Sequence, residues 1–118
     1  MSDHDILHQL IVDVGADTAL RLMGIFKQDV DKRLGALNRY LQNDSSVEEL
    51  HRHAHSLKGL CDTYGAKMGG DAAKALQEAC NHGDIEDIRT KVQAALDIIP
   101  NDAEATTQTL KGIIAAKV

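Results

Sequence analysis

The sequence predicts an all-α fold, an antiparallel four-helix bundle with a short N-terminal helix and a C-terminal helix broken or kinked at Pro100. Three observations point there. Apolar residues recur at three-four spacing along nearly the whole chain, and no period-two strand pattern survives. Aromatics make up only 3% of the residues, with no Trp, so the core must be aliphatic and alanine-rich, which suits close-packed helices better than a β-sandwich. Only one proline is present, and the glycines mostly fall where turns are plausible. A length of 118 residues with 43% apolar content suits one domain, 1–118, built on one core.

Ser2 or Asp3 can cap the first helix, with Ile6, Leu7, Leu10, Ile11 and Val14 at helical spacing and Gly15 as its end. It reads as a lid across a larger bundle. Asp17 is the expected N-cap of a long second helix to about Gln42, with a seam of Ala19, Met23, Phe26, Val30, Leu34, Leu37 and Leu41. Leu22 and Ile25 lie off that seam, either under the first helix or as a docking patch for a partner. Asn43-Asp44-Ser45-Ser46 breaks the pattern, and Ser45 with Glu48, or Ser46 with Glu49, forms a capping box for the third helix. That helix is expected to reach Tyr64, with Gly65 as its stop.

A fourth helix follows from about Gly69 to Asn81, with small inward residues Ala72, Ala73, Ala79 and Cys80 around Leu76. His82-Gly83 turns the chain, and Asp84 caps a fifth helix with the seam Ile85, Ile88, Val92, Ala95, Leu96 and Ile99. Pro100 must kink or end it. A break is favoured, since Pro100-Asn101-Asp102 also reads as a turn followed by a cap. Ala103, Thr107, Leu110, Ile113 and Ile114 then face inward in a last segment.

The formal net charge of −5 and the lack of any Lys/Arg block argue against nucleic acid. No apolar run approaches membrane-spanning length, and the start Met-Ser-Asp-His-Asp lacks the basic residues of a signal peptide. A cytoplasmic location, no membrane contact and a monomeric state are expected. That start reads as a native N-terminus, of a complete protein or of the first piece of a longer one. Cys61 and Cys80 lack metal-type spacing and read as buried thiols in a reducing compartment.

One stretch departs from plain amphipathic helix: Ala54-His55-Ser56-Leu57-Lys58-Gly59. At roughly 100° per residue, Leu50, Ala54, Leu57, Cys61 and Tyr64 gather on the core side and His55 falls opposite. Gly59 lies one turn further along the same face, with Lys58 at its edge and Arg52 on the other flank. A neutral imidazole can attack phosphorus, Lys58 can offset the negative charge that follows, and Gly59 removes a side chain that would crowd the site. A glycine inside a helix costs about 1 kcal/mol relative to Ala, so it invites a steric reason.

The hexapeptide resembles the signature of histidine phosphotransfer (HPt) domains, which carry phosphoryl groups in two-component phosphorelays. The likeness extends to Val14-Gly15-Ala16-Asp17 with Phe26 and Asp29, to Gly65-Ala66, and to Leu76-Gln77, covering about residues 6–115. The resemblance implies that His55 accepts the phosphoryl group, that Lys58 pairs with its oxygens, that Gly59 keeps the site open, and that Gln77 hydrogen-bonds the imidazole or the phosphate. Arg52 gives further support. The implied partners are response-regulator receiver domains and a sensor or hybrid histidine kinase. Helical phase makes Arg52, Ser56, Lys58, Gly59 and Asp62 the exposed docking candidates around His55, with Leu22 and Ile25 adding apolar contact if the first helix leaves them uncovered. The chain differs from the family pattern at Gly69 and Ala72, where larger apolar residues are usual, and at Leu60, where a small residue is common and the site's rim is expected to change.

Several alternatives stand beside this. His51, His53 and His55 suggest a metal site, but only His51 and His55 share a face and no third ligand completes a set, so none is expected. His55 and Lys58 also read as ordinary solvated residues, the bundle as a docking module that takes no phosphate, or the chain as the phospho-accepting domain of a larger, chemotaxis-type kinase. No nucleotide-binding loop is present. The expected molecule is therefore a phosphoryl carrier, not an enzyme, with no cofactor of its own and the Mg²⁺ supplied by the partner.

Overall fold

The structure, a computed structural model, describes residues 2–117. Its helices are α1 (Asp3–Val14), α2 (Ala16–Leu41), α3 (Val47–Thr63), α4 (Lys67–His82) and α5 (Ile85–Ala116), and the described residues include no strand. α2 packs on α3, α3 on α4, α4 on α5, and α5 back on α2, which closes a four-helix bundle. The short connections make successive helices antiparallel. α1 lies across α2 and α5. At 1.5 Å per residue α5 is about 48 Å long, and it matches the 49 Å long axis of the molecule.

Local chemistry sets the helix starts. Ser2 and Asp5 form a capping box at α1, each side chain taking the other's backbone N–H. Ser46 Oγ accepts from Glu49 N at 3.1 Å to start α3, and Asp84 Oδ1 accepts from Asp87 N at 3.2 Å to start α5. α2 corrects the expectation: Gly15, not Asp17, occupies its N-cap. Asp17 sits inside the first turn, where its charge complements the helix dipole. Gly15 at φ 85° both ends α1 and opens α2, which leaves no room for a separate cap.

The core is the aliphatic one expected, with Met23, Phe26, Leu37, Leu57, Leu76, Ile88, Val92, Ile99 and Leu110 fully enclosed. Ala36, Tyr40 and Thr106 join it unforeseen. Within α1 only Leu7 is fully buried, while Leu10 and Ile11 pack partly on the core and Val14 is exposed. α1 is anchored at its start: Gly65, at φ 73°, lets the backbone oxygen of Asp3 and the side chain of Leu7 approach closely.

The expected break at Pro100 is absent, since α5 runs through it. Proline removes one helical hydrogen bond and strains the preceding turn, at about 3 kcal/mol. Ile99 and Ala103 are buried on either side, and that packing holds the helix in one piece. The Asn101 amide also donates to Asp97 O at 2.9 Å. Asp102 caps a different helix from the one foreseen. Its Oδ2 accepts from Gly69 N at 2.8 Å, in the first turn of α4, whose own N-cap, Ala66, has no side chain able to do so. α4 accordingly starts at Lys67, two residues before the expected Gly69.

Candidate functional site

α3 carries the site, and both its ends are fixed. Ser46 caps its start. At its end Tyr64 stacks on Phe26 with ring centroids 4.8 Å apart, and Thr106 Oγ1 donates to Tyr64 O at 2.7 Å. Leu50, Ala54, Leu57 and Cys61 fill the core side. That registration leaves His55 exposed on the opposite face.

α4 reaches His55 because α3 and α4 approach closely. A Cβ on Gly69 would lie 3.0 Å from Cys61 Sγ and 3.7 Å from Ile99 Cα, and one on Gly70 would overlap the Asp62 carboxylate. The small residue at Gly69 is thus part of a tight helix–helix contact, and the half-buried Ala72 belongs to the same small-residue surface. With the helices this close, the Gln77 amide Nε2 lies 3.2 Å from His55 Nδ1. Among the described residues nothing hydrogen-bonds His55 Nε2.

His51, Arg52, His55, Ser56 and Gln77 line an open groove of about 480 Å³. Through His51 and Arg52 it continues toward Val47, Glu48, Cys80 and Asn81. Arg52 is exposed and makes no ion pair among the described residues, while Ser56 is half-buried. Lys58 is placed differently from what its spacing to His55 suggests. Its Nζ donates to Asp62 Oδ2 at 2.8 Å, one turn further from His55. That hydrogen bond and the carboxylate's charge push the Lys58 pKa up. The pairing of Asp62, read from sequence only as a docking residue, was signalled by its i,i+4 spacing from Lys58.

Gly59 is exposed, and a Cβ there would meet nothing within 4 Å. Its carbonyl accepts from Thr63 Oγ1 at 2.8 Å, which continues the polar face one more turn. Leu60 leaves the rim as it is. It is half-buried against the core and lines neither groove beside His55.

His51 and His55 share the groove, whereas half-buried His53 faces α2, with Arg33 Nη1 3.3 Å from its Nδ1. Burial first, then Arg33, Arg39 and Arg52, hold His53 below its ordinary pKa, against a smaller opposing pull from Glu49. Among the described residues no three His, Cys, Asp or Glu are grouped as a metal site. Burial, then the carboxylates of Asp102 and Asp62, push the Cys61 thiol up to about 12, so it stays protonated. Leu22 is half-buried, whereas Ile25 is 48% exposed and is not covered by α1 as one reading expected. Neither lines the groove at His55.

The family model described as Hpt domain matches residues 21–114. The chain belongs to the Hpt domain family. Comparison with curated proteins gave no match, and comparison with solved structures gave none. The match runs from the first half of α2 to near the end of α5 and includes all of α3 and α4. An Hpt domain is a phosphocarrier module rather than a catalyst, and it works with response regulators and kinases in two-component signalling. Among the described residues no helix is long and apolar enough to cross a membrane.

Proposed function

We propose that this Hpt domain accepts a phosphoryl group on His55 and passes it to or from the aspartate of response-regulator receiver domains. The observation that carries this reading is the setting of His55. The ring is exposed, Gln77 engages Nδ1, and the adjoining turn is cleared by a glycine that the fold itself does not require.

Nδ1 is occupied, so Nε2 is the nitrogen that attacks. Its lone pair is available when the ring proton sits on Nδ1. Gln77 holds that tautomer when its amide turns Oε1 toward the ring and accepts from Nδ1–H. In the orientation the structure records, Gln77 Nε2 faces Nδ1 and donates to it, which puts the ring proton on Nε2, so the amide must flip before transfer. Gln77 is thereby a positioning residue for His55. In the transfer, the His55 lone pair forms the P–N bond as the P–O bond to the receiver's aspartate breaks, and that bonding pair leaves on the carboxylate. The proton on Nδ1 stays in place, and the reverse step returns the phosphoryl group.

Arg52 and Lys58 flank the phosphoryl group with positive charge. Gly59, Ser56 and Asp62 belong to the surface the receiver covers, and Ile25 supplies apolar contact further along α2. The divalent cation and the phospho-aspartate come from the receiver. The carrier acts as a monomer in the cytoplasm, between a sensor or hybrid kinase and its response regulator.

The test is incubation with ³²P-phosphorylated receiver domains. Acid-labile, base-stable label on the wild type and none on His55→Gln is the expected result. Equal labelling of His55→Gln would exclude His55, and no labelling of either protein across a broad receiver panel would favour a docking module that takes no phosphate.

A further inference from the structure

Lys58 is the cation the phosphoryl group needs, yet its ammonium is turned away from His55. It is held 2.8 Å from Asp62 Oδ2, one turn toward the C-terminal end of α3. The Asp62 carboxylate in turn lies against α4 at Gly70, where any side chain beyond hydrogen would displace it. Gly70 is buried, so this notch is a fixed part of the α3–α4 contact.

We propose that Asp62 is a built-in counter-ion for Lys58, seated in the notch left by Gly70, and that it competes with the phosphoryl group so that phosphohistidine at position 55 discharges readily. The inference rests on the carrier reading of His55. Before transfer, Asp62 neutralises Lys58 and Arg52 is the unpaired cation beside the groove. A phosphoryl group brings close to two negative charges. It draws Lys58 toward His55, and Asp62 is then left without its partner. The cost of breaking that pair is charged against the phosphorylated state, which lowers the affinity of His55 for the phosphoryl group.

The pair suits such an exchange because it is weak. Its side chains are 37% and 50% exposed, so water and salt screen it. Lys preceding Asp by four residues is also the less favourable order on a helix. A buried pair would lock Lys58 in place, whereas this one yields to a nearby dianion. Asp62 acts through Lys58 and does not touch the transferred group.

The experiment measures the equilibrium distribution of label between receiver aspartate and His55, in wild type, Asp62→Asn, Lys58→Ala, the double variant and Gly70→Ala. Asp62→Asn is expected to raise the phosphohistidine share, with an equilibrium constant about two- to fivefold higher, as fits an exposed ion pair. The gain should vanish in the Lys58→Ala background, shrink at high salt, and be absent in Asp62→Glu. Gly70→Ala should shift the equilibrium in the same direction by moving the carboxylate. An unchanged equilibrium in Asp62→Asn, with wild type labelled normally at His55, overturns the counter-ion role alone. A gain that persists without Lys58 also overturns it, since simple repulsion from Asp62 would then suffice. Absence of label on wild-type His55 defeats the carrier reading, and the inference with it.

Discussion

Gly59 and Gly69 are both helical glycines in the α3–α4 layer, and they have opposite surroundings. At Gly69 a Cβ would press on Cys61 Sγ, with Asp102 and Ile99 close behind. At Gly59 it would meet open space. The first glycine is required by the fold, because it brings α4 close enough for Gln77 to reach His55. The second lowers helix stability and returns nothing to the packing, so its reason lies with whatever approaches His55. Openness alone does not identify such a site: Gly24 and Gly112 are equally free of neighbours, and neither sits one turn from an exposed histidine. What sets Gly59 apart is the pair, a missing side chain and an outward imidazole on one face.

Substitutions that exchange stability for transfer test this comparison. The largest effect is expected for Gly59→Leu. It should stabilise the domain by roughly 0.5–1 kcal/mol through helix propensity, yet slow transfer from a phosphorylated receiver by on the order of 10- to 100-fold through misplacement of the reacting groups. Urea denaturation and stopped-time labelling read the two quantities separately. Transfer at the wild-type rate would show that Gly59 clears nothing of consequence.

Gly69→Ala should behave in the opposite sense. Overpacking costs about 1–3 kcal/mol, and the gain of roughly 1 kcal/mol in helix propensity offsets part of it. A net loss of about 0–2 kcal/mol in urea is expected. A stabilised Gly69→Ala would mean that Cys61 gives way easily and that the α3–α4 contact is looser than its geometry implies.

The smallest expected effect separates His53 from its neighbour two residues on. His53 has a folded-state pKa below the ordinary value of 6.5, so the unfolded chain binds more protons just below that pH. Its contribution is fully present above about pH 6.5 and declines as the pH falls through the lowered folded value. Burial is the chief cause, with Arg33, Arg39 and Arg52 adding repulsion. His53→Gln should flatten the fall in urea midpoint as the pH drops below about 6.5. An unaltered slope would assign the pH dependence to other groups.

Helical phase made much of this legible in the sequence. The seams of α2 to α5, apart from Ile85, which is exposed, and the outward position of His55 follow from spacing alone, since opposite faces of a helix cannot both be buried here. Gln77 opposite His55 was suggested by resemblance and not by phase, because contact between helices depends on their separation. Other features depended on residues far apart in the chain. The continuity of α5 through Pro100 is decided by the burial of Ile99 and Ala103, which no local rule contains. Asp102 reads locally as the cap of its own helix, yet it serves Gly69, 33 residues away. Ile25 could not be placed, because its exposure depends on how far α1 reaches over α2. The Lys58–Asp62 pair was visible as a spacing, but its seat at Gly70 required both helices in position.

The most direct test of the central claim is to locate the phosphoryl group on the wild-type chain. After transfer from a phosphorylated receiver, peptide mapping by mass spectrometry at neutral to alkaline pH should find it on His55 and leave His51 and His53 unmodified. A phosphoryl group found on His51 or His53, or label that no histidine carries, would contradict the account.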